Sequence, residues 1–150
     1  MDPIEHRRAL LCLAEEVAAR LRDERQAAGA LVLSVRYADR SVSTRSRTLA
    51  EATAHTRPLA TTGYELYDLL GLQRARVRAL GLRAQDLRPA TEATRQLTLD
   101  PDDDRALAIE AVTDRARARY GPGTLRPACL ATTGERPTPN PARPDGARTR

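Results

Sequence analysis

The stretch Leu31-Val32-Leu33-Ser34-Val35-Arg36-Tyr37-Ala38-Asp39-Arg40-Ser41-Val42-Ser43-Thr44-Arg45-Ser46-Arg47-Thr48-Leu49 decides the fold. In its first half, Leu31, Leu33, Val35 and Tyr37 alternate with Val32, Ser34, Arg36 and Ala38. That period of two is the mark of a β-strand. Asp39-Arg40 supplies a tight turn. In the second half, Val42, Thr44, Ser46 and Thr48 alternate with Ser43, Arg45, Arg47 and Leu49, so one face is hydroxyl-bearing and the other carries two arginines. A strand with no apolar face either meets water or holds anions.

Working outward, both flanks predict helices. Asp2-Pro3-Ile4-Glu5 combines a capping carboxylate, a proline at the first helical position and a glutamate three residues after the cap. Leu10, Leu13, Ala14, Val17, Ala18 and Leu21 then recur at three- and four-residue spacing, an apolar stripe that needs something to lie on. Gly29 offers the stop. Beyond the hairpin, residues 50–57 read as a loop, and Pro58 opens a second helix to about Leu72, with Leu59, Leu66, Tyr67 and Leu70 on one face. A third strand is predicted over 76–87, with an irregularity near Gly81. Helix, hairpin, helix, strand is an α+β order: an antiparallel sheet with two helices packed on one face. The domain closes at residue 88. Residues 89–101 read as a linker, 102–130 as a helical extension ended by Gly121-Pro122-Gly123, and 131–150 as a disordered tail of Pro, Gly, Thr and Arg.

Composition narrows the function. The chain has 150 residues and 16.5 kDa. All 25 basic residues are arginine, against 20 acids, and there is no Lys, Phe or Trp. GC-biased coding explains arginine without lysine. The scarcity of aromatics argues against a module that stacks bases on aromatic rows, but guanidinium groups suit phosphates. Position is more informative than number: residues 30–95 carry eleven arginines and six acids, while 1–29 carry five and six, and 96–150 nine and eight. The net charge of +5 therefore maps to the strand-bearing segment, which reads as a surface that follows a nucleic-acid backbone. Cys12 and Cys129 are too few for a disulfide framework or a metal site and suit a reducing compartment. With no signal peptide and no membrane span, a cytoplasmic location is expected. His6 and His55 read as ordinary surface histidines, and Asp102-Asp103-Asp104 as the capped start of a helix. No cofactor, metal site or nucleophile is expected.

With these residues in hand, the sequence resembles the little-finger domain of Y-family, translesion DNA polymerases, most nearly the bacterial polymerase IV type. Val35-Arg36-Tyr37-Ala38-Asp39 running into Val42 to Leu49 carries the resemblance, with Val77-Arg78-Ala79-Leu80-Gly81-Leu82-Arg83 and Arg119-Tyr120-Gly121-Pro122-Gly123. It extends over roughly residues 5–130. It implies a non-catalytic domain that holds primer-template or damaged duplex DNA through backbone phosphates during repair and translesion synthesis. The implied DNA ligands are Arg45, Arg47, Thr48, Arg78 and Arg83, with Thr44 and Ser46 beside them.

Gln96-Leu97-Thr98-Leu99 resembles the peptide by which bacterial polymerases bind the β sliding clamp, with Asp100 where an apolar or aromatic residue is usual; alternatively, Leu97 and Leu99 pack back on the domain. Two family features fall outside the chain. The palm with its metal-binding carboxylates lies ahead of this region in family members, so no catalysis is expected here and a separate polymerase core is an implied partner. The strand that precedes the first helix in the family is also missing, which predicts three strands rather than four, a truncated or split product. The rival readings are a clamp-binding adaptor and a non-functional polymerase fragment.

Overall fold

Leu31, Leu33 and Val35 are fully buried, so the alternation read from the sequence is the organising fact of the structure. A computed structural model describes residues 3–72, 76–93, 101–125 and 128. In chain order the elements are α1 (Pro3–Asp23), β1 (Gln26–Tyr37), β2 (Val42–Thr53), α2 (Thr56–Asp68), β3 (Val77–Pro89), a 3₁₀ turn at Ala90–Glu92 and α3 (Pro101–Tyr120). The strands form one antiparallel sheet in the order β2-β1-β3. This is the predicted α+β architecture, including the third helix.

Both α1 and α2 lie on the face that carries Leu31, Leu33 and Val35. Leu10, Ala14, Ala18 and Leu21 of α1 meet Leu59, Ala60, Leu66 and Tyr67 of α2 above those strand residues. From β3, Val77, Leu80, Leu82 and Ala84 complete the layer. The spacing of the α1 residues is the apolar stripe seen in the sequence, now buried as a two-layer core.

Several boundaries move, each for a local reason. α1 ends at Asp23 rather than near Gly29, because Arg25 adopts a left-handed backbone (φ 54°) and turns the chain directly into β1. Gly29 instead lies inside β1, where a Cβ would meet Asp86 Oδ2 at 2.4 Å. β2 continues through the expected loop to Thr53, with a register shift opposite Ala28–Ala30. The irregularity predicted near Gly81 falls a few residues earlier: Arg36 pairs with Ala79 and Tyr37 with Val77, so Arg78 is the extra residue of a bulge. The Asp39-Arg40 turn forms as read. Arg40 takes φ 70°, and the Asp39 carboxylate accepts the Ser41 N–H at 2.9 Å and the Ser41 hydroxyl at 2.6 Å.

The histidines depart from the surface role expected of them. His6 is buried, and its Nδ1 shares a 2.5 Å hydrogen bond with the Tyr67 hydroxyl, tying α1 to α2. Burial raises the Tyr67 phenol above its ordinary pKa, which keeps it protonated. His55 is half-exposed and joins a polar cluster that docks α3. There the Arg22 guanidinium donates to Asp114 at 2.6 and 2.9 Å and to the Ala54 carbonyl at 2.9 Å. Glu110 accepts the Thr56 N–H at 2.6 Å and lies 2.8 Å from His55 Nδ1 and 3.4 Å from Arg22.

Glu110 thus takes an unsatisfied N–H from the first turn of α2, a helix whose N-cap residue makes no side-chain capping bond. Burial alone would raise the Glu110 carboxyl, but the His55 and Thr56 hydrogen bonds and the Arg22 charge outweigh it and hold its pKa below the ordinary value. Nearby Glu15 goes the other way, raised by burial against the opposing pull of Arg117 and Arg22. No described side chain of α3 is buried, and Ile109 and Val112 are exposed, so its attachment is polar rather than apolar.

Candidate nucleic-acid interface

The register separates the predicted DNA ligands into two sets. Directly opposed residues of antiparallel strands share a face. Arg45 pairs with Leu33 and Arg47 with Leu31, so both arginines project on the helix side of the sheet. β2 is the outer strand there and the helices do not cover it, so both remain exposed. Arg47 forms an ion pair with Glu65 of α2, and Arg45 has no acidic partner among the described residues.

Thr44, Ser46 and Thr48 point the opposite way, onto the face that α1 and α2 leave open. Pairing builds this open face in four cross-strand rows: Val42–Arg36–Ala79, Thr44–Ser34–Gly81, Ser46–Val32–Arg83 and Thr48–Ala30–Gln85. Two arginines and four hydroxyls occupy these four rows, and no carboxylate lies in them. Val32 is the floor at 6% exposure, while Arg36, Thr44, Ser46, Thr48 and Arg83 are exposed around it. Among the described residues neither Arg36 nor Arg83 has an ion-pair partner. Arg78 sits at the bulge, exposed at one corner of this face.

Thus four of the seven predicted residues, Thr44, Ser46, Thr48 and Arg83, are gathered on one surface, with Arg78 at its margin. Arg45 and Arg47 are not part of it. Arg36 belongs to the open face and is not among the seven predicted residues. Its signal was in plain view, since Arg36 alternates with Val35 and Tyr37 and must point away from the core they enter. The clamp-like peptide Gln96, Leu97, Thr98 and Leu99 lies outside the described residues.

The open face meets a long anion better than a small molecule: it is broad, and its polar groups are donors spread over three strands. Guanidinium and hydroxyl groups on a flat sheet can bind phosphate oxygens without reading base edges. Among the described residues, no helix is long and apolar enough to cross a membrane.

Residues 1–122 match the model of the impB/mucB/samB family C-terminal domain. Proteins named DNA polymerase IV from two strains of Dehalococcoides mccartyi are each 29% identical to the chain, over 115 and 110 residues. The alignments cover 76% and 73% of this chain but only 29% and 27% of those proteins, so it spans less than a third of the length of the curated relatives it matches. The chain belongs to the impB/mucB/samB C-terminal domain family, the C-terminal domain of Y-family DNA polymerases.

Proposed function

We propose that this domain holds duplex DNA by its backbone phosphates, without sequence preference and without catalysing a reaction, as part of translesion synthesis and damage tolerance. The observation that carries this reading is the open sheet face, whose four paired rows present Arg36 and Arg83 with Ser34, Thr44, Ser46 and Thr48 and hold no carboxylate. A three-stranded surface is roughly 10 Å across, comparable to a major groove of about 12 Å, so the sheet can lie along a groove with its arginines toward the flanking phosphates. Arg78 extends the cationic edge at the bulge. The primer-template is the substrate this surface suits, with the chemistry supplied by a polymerase core.

Fluorescence anisotropy on an undamaged duplex at several salt concentrations tests the proposal. Phosphate binding predicts log affinity falling linearly with log salt. A flat response, or preference for one sequence over its scrambled version, refutes it. The further partner of this reading is the β sliding clamp, engaged through Gln96 to Leu99. A pull-down with the clamp that survives Gln96→Ala/Leu97→Ala excludes that contact.

A further inference from the structure

The open face is not uniform along the strands. Its second row, Thr44–Ser34–Gly81, has the least side-chain volume of the four and lies between the rows that carry Arg36 and Arg83. Successive rows are two residues apart, about 6.6 Å, so the two arginines stand roughly 13 Å apart along the strands with the low row between them. Gly81 is what keeps that row low. A Cβ there would come within 2.7 Å of Ser34 Oγ. Gly81 does not owe its place to backbone freedom, because it pairs in regular register with Ser34 and is absent from the positive-φ positions. Its missing side chain is the feature that needs an explanation.

Ser34 completes the picture. Its hydroxyl donates to the Gly81 carbonyl at 3.4 Å, a long bond that forfeits little when the hydroxyl turns elsewhere. Across the row, the Thr44 hydroxyl is exposed on the same face. A tetrahedral anion lying over Ser34 and Gly81 would meet hydroxyl donors within the row and a guanidinium from each adjacent row. No carboxylate in the four rows opposes it.

We propose that the Thr44–Ser34–Gly81 row is a notch that seats one backbone phosphodiester of the bound duplex, gripped from either side by Arg36 and Arg83. This rests on the DNA-holding reading above and adds a residue-level prediction to it: Gly81, which bears no charge and no functional group, sets the depth of the seat. Filling the notch should act like the loss of a phosphate contact, although every cation is retained.

The test uses the full chain and an undamaged duplex, with Gly81→Val and the pair Ser34→Ala/Gly81→Ala. The pair removes the atom that a Cβ at position 81 would strike among the described residues, so it keeps the strands in register should valine disturb them. Thermal melting verifies that each variant is folded. Losing one charge-assisted contact predicts a rise in dissociation constant of about ten-fold or more. The salt slope should fall by about 0.9 per phosphate lost. Three results overturn the notch and are distinguishable. If the parent chain binds duplex with a steep salt dependence and both folded variants match it in affinity and slope, the notch is wrong and the DNA-holding reading stands. If the parent chain does not bind duplex, both fall. Saturable binding of inorganic phosphate at Ser34 and Gly81, seen as amide shifts without any duplex affinity, assigns the notch to free phosphate and likewise overturns it.

Discussion

Replacing Arg36 and Arg83 with glutamine should do more to DNA binding than replacing Arg45 and Arg47, although the latter pair lies in the stretch of highest arginine density. The difference follows from register: Arg36 and Arg83 share the open face, whereas Arg45 and Arg47 pair with Leu33 and Leu31 on the helix side, and Glu65 already offsets Arg47. If Arg36 and Arg83 together neutralise one phosphate and Arg78 a second, log affinity falls against log salt with a slope of about −1.8. Between about 50 and 200 mM salt the parent domain then loses roughly 12-fold in affinity. Arg36→Gln/Arg83→Gln leaves one contact, a slope of about −0.9 and a loss of only about 3.5-fold over the same range. Arg45→Gln/Arg47→Gln should keep a slope close to the parent value, because an exposed pair such as Arg47–Glu65 has little to give up. Anisotropy titrations of the three proteins over that range decide the matter. The reasoning is refuted if the Arg45/Arg47 variant loses the steeper share of the salt dependence, for then the strand edge and not the open face tracks the phosphates.

Other expectations concern the scaffold. Tyr67→Phe removes the hydroxyl bonded to buried His6 and should cost about 1–3 kcal/mol, measured by urea unfolding, the range for a buried polar group deprived of its partner. Leu33→Ala, at a fully buried site in the middle of β1, should cost about 2–5 kcal/mol in the same assay. The α3 dock should depend on pH with a definite sign. Because the folded-state pKa of Glu110 is depressed, its contribution is complete above the ordinary carboxylate value of about 4.3 and is lost as pH falls through the lower folded value. The stability gap between the parent and Glu110→Gln, read from melts at pH 7 and pH 3, should therefore be wide at neutral pH and close in acid. Glu15 is raised by burial and shows the opposite sign, so Glu15→Gln should stabilise the protein at neutral pH and lose that advantage in acid. A gap that widens on acidification for Glu110→Gln would contradict the assigned hydrogen bonds.

The hairpin, the two-helix layer and the class of fold were legible because apolar residues repeat with the periods of their elements. β1 alternates over its whole central half, and α1 repeats every three or four residues, so a single arrangement buries both sets. Less legible were the places where polar atoms make the decision. Nothing local distinguishes His6 from a surface histidine; its burial depends on Tyr67, sixty-one residues away. α3 was visible as a helix but not as a docked one, since its dock is Arg22 meeting Glu110 and Asp114, a contact without apolar periodicity. For the candidate site, residue types and strands were readable, and the facing residues on β2 alternated as expected. What remained hidden was which alternation faces the helices, because β2 has no apolar side to declare it. Only its pairing with Leu31 and Leu33 assigns Arg45 and Arg47 to one surface and Thr44, Ser46 and Thr48 to the other.

That assignment gives Arg45 and Arg47 a consequence separate from DNA. β2 is twelve residues long and pairs only with β1 among the described residues, so its other side is a row of main-chain donors and acceptors with no strand beside it. Such an edge is a template for a second copy of the same strand. A like strand approaching in antiparallel register would set the Arg45 guanidinium of each copy, which Glu65 does not offset, against the other's arginines, and within the Debye length of about 8 Å at physiological salt added ions screen that repulsion little. The irregular pairing toward Thr53 further spoils the edge for a straight partner. The two arginines that point away from the open face thereby oppose edge-to-edge self-association, and replacing both with threonine should make the domain prone to aggregate at concentrations where the parent stays dispersed.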